Sequence, residues 1–435
     1  MAITTAAITC CSASTSLAAS PAPAEEAFKI IAEKKVSGLS DLTTLEKKAQ
    51  VLHICEHLSS STDPLGAITS VETIPSELDG VAYEAVLNFP FTDMNMDGVA
   101  DSASCNVEFW HEMNDDILSM SDNPRYMSAM PWPMAVYTEG DNIKIALRLP
   151  ETTMRVFFND SDDKATYEEM GAVIRADIEN FVISTLQDGG DQGFKIEDEL
   201  VKGTQIKEEV LQGIESMIGP INSDSVAPMV SISAASVPAS MIPEGSTALD
   251  AVVGALEVAI NTPRVGDLNQ DSVVDAADKA VLPGMFQQVM TGEMSVEQMQ
   301  QVMATAPYVW NMGGTFQQWK SVKLMQSEST PGLYELSVCQ PFYAQTALQA
   351  SGSLFHQTIM PCRLLVWDDG VNINIAITNP EVFFAAFWLD APIEAGSPMA
   401  ELFKIFPTFV LNEMITMVNG ALGDQLQVET RMALH

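Results

Sequence analysis

The chain repeats itself. Pro131 to Pro150 spans nineteen residues, and so does Pro361 to Pro380. Laid together without gaps from Pro131 to Glu151 and from Pro361 to Glu381, nine of the twenty-one positions are identical, where composition alone would give roughly one or two. The two texts are "PWPMAVYTEGDNIKIALRLPE" and "PCRLLVWDDGVNINIAITNPE". Each places two β-rich runs around a Gly-containing turn, the signature of a hairpin. An internal duplication of this kind predicts two related domains, with a helical calcium-loop insert expected between them.

Residues 1–24 form a signal-like or disordered segment, and helical spacing in "EEAFKIIAEKK" and "LTTLEKKAQVLHICEHL" predicts N-terminal helices over 25–62. The first α+β repeat is expected over 63–190, with an inserted acidic loop. A helix and a Pro/Ser-rich linker, "GPINSDSVAPMVSISAASVPASMIPEG", follow over 191–246. A helical EF-hand-like segment over 247–306 leads to the second repeat over 307–435. Aligning Tyr83 with Tyr334 and Cys105 with Cys339 gives the first copy seventeen extra residues between strand-like "VAYEAVLNF" and helix-like "CNVEFWHEMNDDIL". Such an insertion should project from the surface, where ligand-bearing loops are tolerated.

Two acidic windows carry the clearest chemistry. "DMNMDGVADSAS" offers Asp93, Asn95, Asp97, the Val99 carbonyl and Asp101, with Gly98 at the turn. "DLNQDSVVDAAD" offers Asp267, Asn269, Asp271, the Val273 carbonyl, Asp275 and Asp278, with Val274 free to pack inward. Ca²⁺ takes six to eight oxygens, and a twelve-residue loop supplies them from alternating positions. Ser272 replaces the usual turn Gly, Asp278 replaces the bidentate Glu, and Ser104 is a poor final ligand in the first window. The twelfth-position Asp resembles the dockerin variety of loop. Dockerins pair two such loops in one short module, whereas these lie 174 residues apart, so a cohesin-binding role is rejected. Helical text on both sides of the second window predicts a helix–loop–helix. Calcium here would chiefly stabilise, by relieving repulsion among gathered carboxylates.

Charge bounds the partners. With 58 acidic against 21 basic residues the formal net charge is -37, which excludes nucleic acid as an expected partner because phosphate binding needs clustered Lys and Arg. The first 24 residues carry no charged side chain and end in "SLAASPAPA", which fits the apolar and cleavage regions of a secretory signal without its basic start. An extracytoplasmic location, secreted or periplasmic, is therefore expected. No later run reaches about 18 uninterrupted apolar residues, so no transmembrane segment is expected. Six cysteines, Cys10, Cys11, Cys55, Cys105, Cys339 and Cys362, allow at most one or two bridges in a chain of 435 residues.

The run Cys339-Gln-Pro, "ALQ", Met360-Pro-Cys-Arg, "VWDDGVNI" and Asn379-Pro-Glu resembles the bacterial domain of unknown function 302. The resemblance covers about 90 residues in each half and is stronger in the second. It implies a TATA-binding-protein-like fold, an antiparallel sheet backed by helices, and pairs a Cys-Asn-Pro turn with a Pro-Cys turn. Those cysteines fall on Cys339 and Cys362; the first copy keeps Cys105 but has Trp132 at the second position. The family brings no settled activity.

Cys339 and Cys362 are a possible thiol pair, which frames the alternative reading of a redox or soft-metal-handling protein; two buried small residues, or one structural bridge, is the plainer account. His53-Ile-Cys-Glu-His57 matches the H-x-x-E-H string of inverted zinc peptidases, with Glu56 as base, although two ordinary surface histidines explain it as well. The sequence has no phosphate loop, nucleophile elbow or Rossmann fingerprint. The expectation is an exported acidic calcium-binding protein, a binding or structural module rather than an enzyme, with a partner the residues do not identify.

Overall fold

The computed structural model describes residues 21–74, 102–121, 123–159, 161–188, 193–218, 229–234, 237–261, 264–266, 284–285, 288–289, 291–305, 308–310, 320–326, 332–339, 344, 347–348, 350–360, 362–426 and 430–432. The first part of the chain forms β1 (Phe28–Lys35), α1 (Thr44–Ser60), β2 (Ile68–Ile74), β3 (Ser104–His111), α2 (Met113–Ser121), β4 (Trp132–Glu139), β5 (Asn142–Arg148), α3 (Pro150–Phe157), α4 (Lys164–Asp188) and β6 (Lys195–Leu200). Its sheet has the order β2-β3-β4-β5-β1-β6, antiparallel throughout. After α5 (Glu208–Ile218) come β7 (Met229–Ala234), α6 (Ala248–Asn261), β8 (Arg264–Gly266), α7 (Val296–Thr305), β9 (Tyr308–Trp310), β10 (Lys320–Gln326), β11 (Leu333–Cys339), β12 (Cys362–Asp368), β13 (Ile373–Thr378), α8 (Pro380–Phe387), α9 (Pro398–Gly420) and β14 (Thr430–Met432). The second sheet reads β10-β11-β12-β13-β7-β14, which is the first order strand for strand. A two-stranded ribbon, β8-β9, stands apart.

Local sequence explains the shared elements. Thr43 caps α1, accepting from the Glu46 backbone while Glu46 reaches back to the Thr43 N–H at 2.9 Å. Thr247 and Asp250 repeat that reciprocal capping at the start of α6, with the Thr247 N–H donating at 2.8 Å. Pro150 and Pro380 open α3 and α8, where a missing N–H costs nothing. Gly171 on α4 lies so close to α3 that a Cβ would sit 2.5 Å from the Glu151 backbone.

Several expectations give way. Residues 28–35 are a strand, not part of an N-terminal helix. Phe28 to Ala32 are all buried because β1 is flanked by β5 and β6 and covered on its faces, and a short apolar run inside a sheet does not alternate. The first sheet thus takes β1 and β6 from outside 63–190. The Pro/Ser-rich stretch expected as linker contains β7, an inner strand pairing with β13 and β14. Its Ser and Pro content masked a strand whose pairing partners lie more than a hundred residues away. The second acidic window is preceded directly by β8, not by a helix: α6 ends at Asn261 and Gly266 precedes Asp267.

The expected pairing of Cys105 with Cys339 also fails. Phe109 lies opposite Trp132, and Val338 lies opposite Cys362. With Trp132 and Cys362 equivalent, Cys105 (opposite Val136) matches Tyr334 (opposite Val366), and Cys339 matches Trp110. The first copy's long connection is therefore the β2–β3 hairpin, residues 75–103, where the second copy uses only 327–332. The "VAYEAVLNF" run lies outside the described residues.

The halves are not separate bodies. One continuous buried cluster runs from Ala27 through Leu426. The 3₁₀ turn Pro124–Ala129 of the first half packs on β11 and β12, and the turn Leu354–Ile359 of the second packs on β3, β4 and β5. Phe28 meets Phe355 at 4.9 Å, and Phe157 meets Phe383 at 5.5 Å. Among the described residues one helix, Ala400–Gly423, is long and apolar enough to cross a membrane. It packs against α6 and α8, with Leu402, Phe406, Met414 and Val418 buried.

Candidate functional site

The calcium-loop residues Asp93, Asn95, Asp97, Val99, Asp101, Asp267, Asn269, Asp271, Val273, Asp275 and Asp278 all lie outside the described residues. Their framework does not. The β2–β3 ladder pairs Ile74 with Asn106 and so holds both ends of the first connection. A disulfide joins Cys55 on α1 to Cys105 on β3 across 50 residues of sequence, enclosing that connection. The second window begins directly after β8, and β8 is clipped to β9 by Gly266↔Tyr308 and Arg264↔Trp310.

The two halves meet in a buried polar seam. Arg363 on β12 donates to Glu108 Oε1 on β3 at 3.0 Å and faces Glu335 Oε1 on β11 at 3.4 Å. It also donates to the Ser128 and Pro131 carbonyls at 3.3 and 3.5 Å. Glu108 and Glu335 are fully buried. Gln357 continues the seam: Ser104 Oγ donates to its Oε1 at 2.7 Å, its amide donates to the Cys105 carbonyl at 3.3 Å, and Asn106 donates to its backbone carbonyl at 3.0 Å. Arg148, at the end of β5, is the second buried cation. Burial, then the like charge of Arg363, holds its guanidinium below the usual arginine range, against the pull of Glu108. Two cations and two carboxylates balance, as a desolvated cluster requires. Sequence reading missed this seam because its members come from four strands and each looks unremarkable alone.

The expected thiol pair is not bridged. Cys362 carries a free thiol, and burial pushes it up to about 12, so it is protonated at neutral pH and is not an activated nucleophile. Nearby His356 has both ring nitrogens engaged, at 3.3 Å from the Ser353 carbonyl and 2.9 Å from Asp390. It has no free nitrogen to act as base. Its ring stacks on Trp388 at 5.0 Å, and Trp388 stacks on Phe384 at 4.3 Å. Beside this row lies an apolar cavity of about 50 Å³, open to solvent on one side, lined by Val338, Ala344, Ala347, Cys362, Phe384 and Trp388 among others.

On α1, His53 and Glu56 are exposed and His57 is half-buried. Among the described residues no His, Cys, Asp or Glu group of three gathers in metal-binding geometry, and α1 brings no third ligand to the string. What the described side chains offer is apolar binding space and a fixed ionic joint, with no activated nucleophile at Cys362. No protein-family model, curated protein or solved structure matches this chain.

Proposed function

We propose that the chain is an exported, acidic calcium-binding protein, a binding or structural module grown by duplication of one α+β unit, in which Ca²⁺ orders two acidic inserts. The supporting observation is where those inserts fall. The first occupies the β2–β3 connection, which the second half makes with 327–332. The second lies between α6 and β10, a step that the first half makes between α1 and β2 with 61–67. Each acidic segment is thus an addition that the other copy of the framework does without. Long connections in compact proteins are commonly functional, and each of these carries five or more oxygen donors in calcium-loop register. The Cys55–Cys105 bridge agrees with an oxidising compartment. The helix-backed antiparallel sheets have the form implied by the likeness to the domain of unknown function 302, and we read the two halves as divergent members of that group.

The test is calorimetric titration of chelator-stripped protein with CaCl₂. Two Ca²⁺ per chain are expected, one lost in Asp97→Asn and the other in Asp271→Asn. At calcium a hundredfold above Kd the gain is about 2.7 kcal/mol per site, read as a melting temperature several degrees higher than in chelator. No heat at millimolar calcium and an unmoved melting curve would refute the reading.

A further inference from the structure

We infer that the apolar cavity beside Cys362 is a binding site for a small, neutral, unbranched aliphatic chain. The two halves differ here position by position. In the first half Trp132 opens β4 and is fully buried, and its indole N–H donates to Asn114 Oδ1 on α2 at 3.0 Å. Cys362 opens β12 at the equivalent place. Asn114, Ile117 and Leu118 are the buried positions of α2; the same buried spacing recurs at Ala344, Ala347 and Leu348. Three facing side chains have therefore been cut back together, Trp to Cys, Asn to Ala and Ile to Ala, and all three of the smaller residues line the cavity.

Packing elsewhere in the second half refills only part of that volume. Phe383, Phe384 and Trp388 stand where the first half has Thr153, Met154 and Phe158, counted from the matching Pro150 and Pro380. What remains is about 50 Å³. An apolar cavity of about 150 Å³ binds benzene, and about 10–15 Å³ in the same measure holds one water-sized group. The space therefore takes a short aliphatic segment and falls well short of a ring, the remainder of a longer ligand lying through the open side. Its lining is nearly all apolar, so water gains little by entering. A charged acid is disfavoured by the apolar lining and by the net charge of -37, which leaves a neutral aliphatic chain.

The experiment uses the full chain, ¹⁵N-labelled at its six tryptophans, with the Trp388 indole resonance assigned by its loss in Trp388→Phe. Titration with 1-butanol, which packs its chain against the Trp388 ring, should shift that resonance along a saturable curve. Butyrate and tert-butanol should act at least tenfold more weakly. Cys362→Trp and Ala347→Ile each refill the cavity with the side chain type of the first half, and each should abolish saturation; Ala347→Ile is the smaller change and serves if the tryptophan variant fails to fold. A linear drift without saturation, equal action of tert-butanol, or a curve unchanged in a folded filling variant would overturn the proposal.

Discussion

Replacing Arg363 by Met tests whether the two halves are held together by charge at the seam. The guanidinium is 5% exposed and sits between Glu108 and Glu335, both at 0%. Removing one partner of a buried ion pair costs about 3–5 kcal/mol, because the remaining charge stays desolvated. Here one cation serves two carboxylates and two backbone carbonyls, so the loss belongs at the upper end of that range. Against a typical stability of about 5–15 kcal/mol this removes a third or more. The effect should also be directional. Arg363 belongs to the second sheet while Glu108, Ser128 and Pro131 belong to the first half, so far-UV circular dichroism and tryptophan fluorescence, coincident in the native chain during urea unfolding, should separate in Arg363→Met. Adding Glu335→Leu restores neutrality, leaving Arg148 with Glu108, and should recover most of the loss. A single variant costing under about 1 kcal/mol, or a double variant less stable than the single, would show that the seam is not an electrostatic joint.

Three further outcomes follow from the same geometry. Cys55→Ser with Cys105→Ser opens a loop of 50 residues; the chain-entropy relation gives a loss of about 4 kcal/mol, measurable by urea unfolding and matched by reduction of the parent. Gly171→Ala forces a methyl group to 2.5 Å from the Glu151 backbone, so α3 and α4 must separate and stability should fall by about 1–3 kcal/mol; an unchanged melting temperature would contradict the close approach. Burial favours the neutral Cys362 thiol, so its contribution is fully present below the ordinary thiol value near 9 and is lost as pH rises through about 12. Peptide-resolved alkylation at Cys362 should accordingly keep accelerating above pH 9 in the native chain and level off near that pH in urea.

The hairpins and the mixed helix and antiparallel-sheet character were legible because they rest on local patterns: "VYTEGDNIKI" and "VWDDGVNINI" each encode two strands and a turn within ten residues. What failed was non-local. β1 reads as helix because Ala27, Ile30 and Ile31 match helical spacing, and only its position between β5 and β6 makes it a strand. β7 reads as linker for the same reason: "MVSISA" is polar at alternate residues, and its place is set by β13, some 140 residues downstream. Matching the two cysteines Cys105 and Cys339 by identity gave the wrong register, since β3 and β11 share a place in the sheet with almost no common residues.

The repeat comparison also explains why the seam could not have been found in either copy alone. Arg363 corresponds to Pro133, Glu108 to Ser337, Asn106 to Glu335 and Arg148 to Thr378 when the ladders are superposed. No ion pair is made twice. Each half supplies one cation and one carboxylate at positions where the other carries a neutral residue; Arg363 meets Glu335 of its own half and Glu108 across the joint. The halves thus differ at the joint in two ways: Arg363 makes them complementary across it, and Cys362, Ala344 and Ala347 leave a space where the first half holds Trp132, Asn114 and Ile117. Because the turn Leu354–Ile359 of the second half is anchored on the first sheet, weakening the joint at Arg363 should loosen that turn as well.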